Sequence, residues 1–302
     1  MGLRANHLIC AWLRGLSKSS YILALLALSL TPVIAVSTGL HNSSRTFTPV
    51  SEMNRADWND PVEMERVWQA ALVRIPKPGG KYLATTIKEL HAHNLRGDGK
   101  LPAVIYLHGC SGIWEGTHMR IDFLAANGYA VIAPPSMARK KYPKSCEPEQ
   151  LRGGLYRDTL RIRQYDAGYA IEKAKTLPWV DADRIFLMGL SEGGITVATF
   201  RSKSGDASVR ARVIEGWTCQ AGWREYRGIK APEGEPVLTL LGANDPWFQN
   251  PYTGGECTGF VKKRNDGSKS VVYTQEDLSH KHGLLEDARV RTEVLNFLHA
   301  HQ

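Results

Sequence analysis

DRIFLMGLSEGG, residues Asp183 to Gly194, decides the fold of this chain. Residues 185–189 are an apolar run that predicts a short buried strand, and the residues after Gly194 can wind as a helix. A strand that passes so abruptly into a helix needs a sharp backbone reversal, here at Ser191. Glycines at 189 and 193 leave no Cβ to clash at that reversal. The pattern therefore predicts a serine hydroxyl presented at the end of a strand.

The amide after this serine belongs to Glu192, at the N-terminus of the predicted helix. Backbone N–H groups at a helix N-terminus favour negative charge, so this amide is a predicted donor to an oxyanion. Gly-x-Ser-x-Gly alone occurs by chance in many proteins. The strand before it and the helix after it favour a catalytic serine over a chance match.

Length and charge fit one ordinary globular domain with an N-terminal extension. The chain has 302 residues, of which 43% are hydrophobic and 23% charged, and its formal net charge is +8. Residues 1–37 contain three basic residues and no acidic ones, which leaves +5 for the rest. That surplus is scattered along the chain, so no nucleic-acid partner is expected.

Residues 1–37 have the pattern of an export signal. Basic residues precede a mostly apolar run over residues 21–36, which is shorter than the roughly 20 residues of a membrane span. The small residues Ala35 and Ser37 suit cleavage after Ser37. The alternative is an uncleaved signal anchor, in which case residues 21–36 contact the membrane. In both cases the catalytic domain is expected outside the cytoplasm, either periplasmic or secreted.

The remaining chain divides into a polar segment and one catalytic domain. Residues 38–66 are rich in Ser, Thr and Asn and predict a linker, so the catalytic domain is expected over residues 67–302. Strand-like patterns over residues 67–75 and 82–90 are followed by short apolar strands that alternate with helices. This alternation predicts an α/β fold, with a mostly parallel sheet covered by helices on both faces.

Two histidines after these strands are candidate metal ligands. His91 and His93 would share one face of a strand, but no third ligand accompanies them at a suitable spacing. We therefore interpret them as a solvated edge and expect no metal site.

LPAVIYLHGCSG, residues 101–112, predicts a further buried strand that ends in chemically useful residues. Gly109 lets the backbone turn the amide of Cys110 towards the position that the Glu192 amide faces. Cys110 is therefore the second predicted oxyanion donor. His108 stands at the strand end and is interpreted as a residue that orients the loop rather than as a base.

A carboxylate and a histidine follow later strands. Asp245 comes directly after the apolar run of residues 236–242, where it can reach the sheet edge that carries the serine. The order Ser191, Asp245, His282 is the order of α/β-hydrolases and differs from that of chymotrypsin-like and subtilisin-like enzymes. These three residues are the predicted catalytic triad.

The loop after the strand at residues 271–274 offers two histidines. Gly283 leaves room beside His282 for the chain to turn into the last helix, which is expected from residue 284 to residue 301. His280 is followed by a lysine whose charged end favours solvent. His282 is therefore the predicted base, and His280 a loop residue beside it.

The chain resembles the dienelactone hydrolase family within the α/β-hydrolases, in its secreted branch. The resemblance covers residues 67–302 and is carried by LHGCSG (107–112), GLSEGG (189–194), Gly242-x-x-Asp245 and His282-Gly283. It implies the α/β-hydrolase fold and a hydrolase activity.

The chain departs from that family at three positions. The enzymes that give the family its name use a cysteine nucleophile, where this chain has Ser191. Many relatives have an aspartate at the position of Pro135 and a phenylalanine at that of Leu284. The resemblance therefore favours a serine esterase mechanism and does not extend to activity on dienelactones.

The cysteines are expected to form two disulfides, because an exported chain matures in an oxidising compartment. Cys10 lies in the signal, which leaves four cysteines, and four allow three pairings that sequence alone cannot choose. In the secreted branch, too, a cysteine follows His-Gly and another lies in the loop after the next strand. We predict Cys110–Cys146 and Cys219–Cys257, since each pair joins loops that leave neighbouring strands; a buried free Cys110 is the alternative.

These features predict an exported serine hydrolase that cleaves a carboxylic ester of a small molecule, without a metal or an organic cofactor. A peptidase or acyltransferase would use the same residues, and a non-catalytic member of the fold would bind a ligand or partner. Trp217, Trp223, Trp247 and Tyr252 lie on segments that leave strand ends. An aromatic-lined pocket and core packing explain them equally well.

Overall fold

Parallel strands with their carboxyl ends at one edge carry the fold in the computed structural model, which describes residues 46–90, 99–202 and 205–302. In chain order the elements are α1 (Pro61–Gln69), β1 (Leu72–Lys77), β2 (Lys81–Thr86), α2 (Ile87–Leu90), β3 (Leu101–Leu107), α3 (Glu115–Ala126), β4 (Ala130–Ala133), β5 (Cys146–Glu147), β6 (Arg152–Gly153), α4 (Thr159–Lys175), β7 (Val180–Leu190), α5 (Glu192–Thr199), β8 (Arg212–Glu215), β9 (Val237–Gly242), α6 (Thr258–Val261), β10 (Lys269–Tyr273), α7 (Glu276–Ser279) and α8 (Ala288–Ala300).

Within the described ranges, the main sheet has eight strands in the order β10-β9-β8-β7-β3-β4-β1-β2. The run from β10 to β4 is parallel, whereas β1 is antiparallel to both β4 and β2. β5 and β6 form a separate short ladder. The predicted α/β-hydrolase architecture with a mostly parallel sheet is thus confirmed.

Apolar side chains of alternate residues build a core on each face of the sheet. In β3, Ile105 and Leu107 pack with α4 and α5 on one face. Val104 and Tyr106 point to the other face and pack with α3 and α8. This alternation is the ordinary consequence of strand geometry. Helices therefore cover both faces, as expected for a buried parallel sheet.

The segment before residue 67 is part of this domain, in contrast to the predicted linker. Asp60 caps α1 by accepting the N–H of Val62 at 2.8 Å, and Pro61 occupies the first helical position, both strong helix-start signals. Trp58 packs on a satellite cluster of buried side chains. Arg139, only 2% exposed, donates to the carbonyl of Trp58 at 3.1 Å. Residues 46–66 are therefore packed on the catalytic domain in spite of their polar composition.

Several predicted element boundaries also differ from the structure. The strand predicted over residues 67–75 begins at Leu72, because residues 67–69 belong to α1. The strand predicted over residues 82–90 ends at Thr86, and α2 begins at Ile87. The last helix starts at Ala288 rather than at residue 284, because Asp287 caps it by accepting the N–H of Arg289 at 2.8 Å. Periodicity alone locates boundaries poorly when a polar cap decides them.

The predicted export signal over residues 1–37 and the pair His91 and His93 lie outside the described residues. Among the helices that the structure does describe, none combines the length and the apolar character needed to cross a membrane.

Candidate active site

Ser191 lies at the junction between β7 and α5 in a backbone conformation that non-glycine residues rarely adopt. Its φ is 57° and its ψ −119°, a sparsely populated region that costs on the order of 1–3 kcal/mol. The neighbouring backbone leaves no space for side chains here, since a Cβ on Gly193 would lie 2.1 Å from the carbonyl oxygen of Leu107. The sharp reversal that the sequence predicts at Ser191 is present.

Asp245 and His282 lie together at the same edge of the sheet. Nδ1 of His282 is 2.7 Å from Oδ2 of Asp245, a carboxylate that is 1% exposed. The other carboxylate oxygen accepts the N–H of Trp247 at 3.0 Å. The aspartate is thus fixed at both oxygens and, by accepting from Nδ1–H, favours the imidazole tautomer whose Nε2 carries a lone pair.

The imidazole of His282 contacts two aromatic rings. Trp247 stacks on it with ring centroids 5.2 Å apart, and Phe248 lies tilted at 5.7 Å. Nε2 of His282 is buried and has no hydrogen-bond partner within the described part of the chain. In the tautomer with the proton on Nδ1, the lone pair of Nε2 is therefore free to accept a proton.

The end of β8 supports both the serine and the histidine. The N–H of Ser191 donates to the carbonyl of Glu215 at 2.9 Å. The next residue, Gly216, has φ 62°, and a Cβ there would lie 2.8 Å from the carbonyl oxygen of His282 and 3.2 Å from its ring carbon Cε1. One dipeptide thus contacts the serine elbow and the imidazole.

The two predicted oxyanion donors lie on segments joined by a buried arginine that the sequence analysis missed. Cys110 follows β3, and Glu192 opens α5, where the first amides have no partner inside the helix. Arg163 of α4 is 1% exposed, and its Nη1 is 2.9 Å from Oε1 of Glu192. Its Nη2 donates to the carbonyl of His108, two residues before Cys110.

A sequence signal for this arginine does exist. Arg163 falls in the buried stripe of α4, in register with Leu160, Ala167 and Ala170. A charged residue at an apolar position of a helix needs a buried partner, although the pattern cannot say which carboxylate supplies it.

His108 is fully buried, and both of its ring nitrogens have partners. Nδ1 is 2.6 Å from the carbonyl of Gly109, and Nε2 accepts the N–H of Ser136 at 3.2 Å. Burial, followed by the nearby guanidinium of Arg163, holds the pKa of the imidazole well below its usual 6.5. A neutral ring with two fixed partners fits the interpretation as a loop-orienting residue.

We expect His108 to make the fold less stable in mild acid. Below about pH 6.5 the unfolded chain takes up a proton on this imidazole that the folded chain does not, so the free energy of unfolding falls as the pH drops. The replacement His108→Gln removes this titrating group. It should therefore reduce the slope of the free energy of unfolding against pH by up to about 1.4 kcal/mol per pH unit. Urea denaturation between about pH 5.5 and 7.5 measures it; parallel curves for both proteins would contradict the assignment.

The structure joins the cysteines in the same pairs as the sequence analysis predicts. The Cα atoms are 6.0 Å apart in Cys110–Cys146 and 5.0 Å apart in Cys219–Cys257. The first disulfide connects the loop that carries a predicted oxyanion donor to the segment after β4. Both are compatible with maturation in an oxidising compartment.

The remaining predicted residues fall at different places. His280 is exposed at the end of α7. Trp217 is 2% exposed and packs in the core, Trp223 packs on a tyrosine ring 5.1 Å away, and Tyr252 is 72% exposed. Of the four aromatic residues considered for a pocket, Trp247 is the one that stacks on the imidazole.

Comparison with known proteins identifies the family. The sequence profile of the dienelactone hydrolase family matches residues 90–271, which is more than half of the chain. Comparison with curated proteins found no significant match.

Solved structures with a similar fold include esterases and a relative of dienelactone hydrolase. A dienelactone hydrolase-like promiscuous phosphotriesterase from metagenomic libraries is 19% identical, with a TM-score of 0.48 over 68% of this chain and 88% of that chain. A hyperthermophilic esterase from the archaeon Pyrobaculum calidifontis is 16% identical, with a TM-score of 0.47 over 80% and 90%. Est1E from Butyrivibrio proteoclasticus with bound ferulic acid is 17% identical, with a TM-score of 0.48 over 76% and 95%. On the strength of the profile match, this chain belongs to the dienelactone hydrolase family of α/β-hydrolases.

Proposed function

We propose that the chain is an exported serine hydrolase that cleaves carboxylic esters of small molecules. The observation that carries the proposal is the part-buried contact of 2.7 Å between His282 and Asp245, at the sheet edge where the strained elbow presents Ser191. Family membership supports hydrolase activity in general. Ser191 stands where the enzymes that give the family its name have a cysteine, so we propose a serine esterase and not an enzyme specific for dienelactones.

In the proposed reaction, the hydroxyl of Ser191 attacks the acyl carbon while Nε2 of His282 takes its proton. The same imidazole then returns the proton to the departing alcohol, which leaves an acyl-enzyme. Water, activated by His282, releases the acid and restores the serine. Asp245 keeps the proton of the resting imidazole on Nδ1 and stabilises the imidazolium that forms in each step.

The negative charge of each tetrahedral intermediate is stabilised by the amides of Cys110 and Glu192. Such donors contribute about 3 kcal/mol each when they are fixed in advance. Fixation is supported here by Arg163, which bonds to the side chain of Glu192 and to the carbonyl of His108. The disulfide Cys110–Cys146 restrains the first donor further.

Export is proposed from two independent features. Residues 1–37 have the basic and then apolar pattern of a signal. The disulfides Cys110–Cys146 and Cys219–Cys257 are typical of proteins that mature outside the reducing cytosol.

A panel of nitrophenyl esters and the matching anilides, assayed with the purified protein, tests the proposed activity. We expect hydrolysis of esters and covalent labelling by a fluorophosphonate probe, since such probes react with activated serines. Cleavage of the anilides at rates comparable to those of the esters would indicate a peptidase, because an esterase leaves the less reactive anilides almost uncleaved. A protein that neither hydrolyses the panel nor reacts with the probe would instead be a non-catalytic member of the fold.

A further inference from the structure

A buried ion pair connects the strand that supports Ser191 to the loop that carries His282. Glu215 is the last residue of β8, Arg120 lies in α3, and both side chains are 0% exposed. Nε and Nη2 of Arg120 donate to the two carboxylate oxygens of Glu215 at 2.8 and 2.6 Å. This bidentate arrangement is the strongest geometry available to such a pair.

The same carboxylate accepts two amides of the histidine loop. The N–H groups of Leu284 and Leu285 donate to Oε1 of Glu215 at 2.6 and 3.0 Å. Both leucines are 0% exposed, so their amides depend on this acceptor, because an unpaired buried N–H is costly. Burial would raise the pKa of the Glu215 carboxyl, but Arg120 and these amides outweigh it, so the pKa lies below its usual value.

Arg120 also fits closely against the residue that follows the histidine. A Cβ on Gly283 would lie 2.8 Å from Nη2 of Arg120, and Nη1 donates to the carbonyl of Gly116 at 2.9 Å. Glu215 in turn accepts the N–H of Ser191 through its backbone carbonyl at 2.9 Å. A single residue therefore holds the serine elbow with its main chain and the histidine loop with its side chain.

We propose that Arg120 and Glu215 are a positioning pair, which sets the imidazole of His282 relative to the hydroxyl of Ser191. The proposal rests on the proposed function, since it assigns the pair to the same triad. Loss of the pair should lower turnover more than substrate binding, because a displacement of about 1 Å in catalytic geometry costs roughly 100-fold in rate.

β8 provides a matched control at its other end. Arg212, its first residue, forms a second buried pair with Glu235, and the two side chains are 0% and 9% exposed. Arg212 also donates to the carbonyls of Val197 and Phe200 at 2.7 and 2.8 Å, at the end of α5 remote from Ser191. The two pairs share their chemistry and their strand but support opposite edges of the sheet.

The test compares Arg120→Met/Glu215→Leu with Arg212→Met/Glu235→Leu. Each double variant removes both charges, which a fold tolerates better than one unpaired buried charge. The first should lower kcat for a nitrophenyl ester at least about tenfold with KM within about twofold, whereas the second should keep kcat within about twofold. Glu215→Gln keeps an acceptor for the loop amides, so its kcat should lie between the wild type and the first variant.

Hydrogen exchange of residues 283–287 provides a readout that does not need activity. Exchange should rise in Arg120→Met/Glu215→Leu and stay slow in Arg212→Met/Glu235→Leu. Wild-type kcat in the first variant and in Glu215→Gln, or equal losses in both double variants, would overturn the positioning role.

If the wild-type protein does not hydrolyse esters, the proposed function is overturned instead. The assay of the wild type shows this before either ion pair is changed.

Discussion

Replacement of Ser191 by alanine is expected to lower kcat for ester hydrolysis by on the order of 10⁵ or more while the protein stays folded. The hydroxyl is the proposed nucleophile, and alanine has no atom to which the acyl group could be bonded. Alanine keeps the Cβ of serine, so the strained backbone at φ 57° is neither relieved nor worsened. Turnover of a nitrophenyl ester and the melting temperature measure the two parts of this expectation.

Ser208→Ala is the matched control for Ser191→Ala. Ser208 is an exposed serine whose hydroxyl is 3.2 Å from Nζ of Lys175, so its loss should change neither rate nor melting temperature measurably. Fluorophosphonate labelling should disappear in Ser191→Ala and persist in Ser208→Ala. If Ser191→Ala kept a tenth of the wild-type rate, the nucleophile would have to be sought elsewhere.

The sequence predicts correctly those parts of the fold that are encoded in short apolar runs and in the glycines and polar residues that end them. Apolar strands separated by helical patterns predict a parallel sheet, because such strands are buried on both faces. The elbow at Ser191 is predicted because glycines on both sides and the change from strand to helix leave few other backbones. Both signals are local, so no knowledge of distant residues is needed.

Other features depend on contacts between distant segments and cannot be derived from local patterns. α1 carries a cap at Asp60, yet the polar residues before it resemble a linker until their packing beneath Arg139 is seen. The partners Arg120 and Glu215 are 95 residues apart in the chain. A buried charge can be suspected from its place in an apolar stripe, but its partner is decided by tertiary structure.

The second large expected effect is a loss of turnover when the catalytic base is replaced, and it distinguishes His282 from the neighbouring His280. His282→Ala should lower kcat by on the order of 10⁴ or more, since loss of the base leaves only binding and oxyanion stabilisation. The side chain of His282 is 18% exposed and contacts Asp245, so its carboxylate partner would be left without that bond. We therefore expect a modest fall in melting temperature together with the loss of turnover.

His280→Ala is the natural comparison, because His280 lies two residues earlier in the same loop. It is exposed at the end of α7, and its replacement should leave kcat within about twofold of the wild type. The residue that follows each histidine also distinguishes the two. Position 283, after His282, packs so closely on Arg120 that only a glycine fits there without moving the guanidinium. Ester turnover and melting temperature of both variants identify the base. If His280→Ala were inactive and His282→Ala active, the base would be His280. The bond between His282 and Asp245 would then have a structural role only.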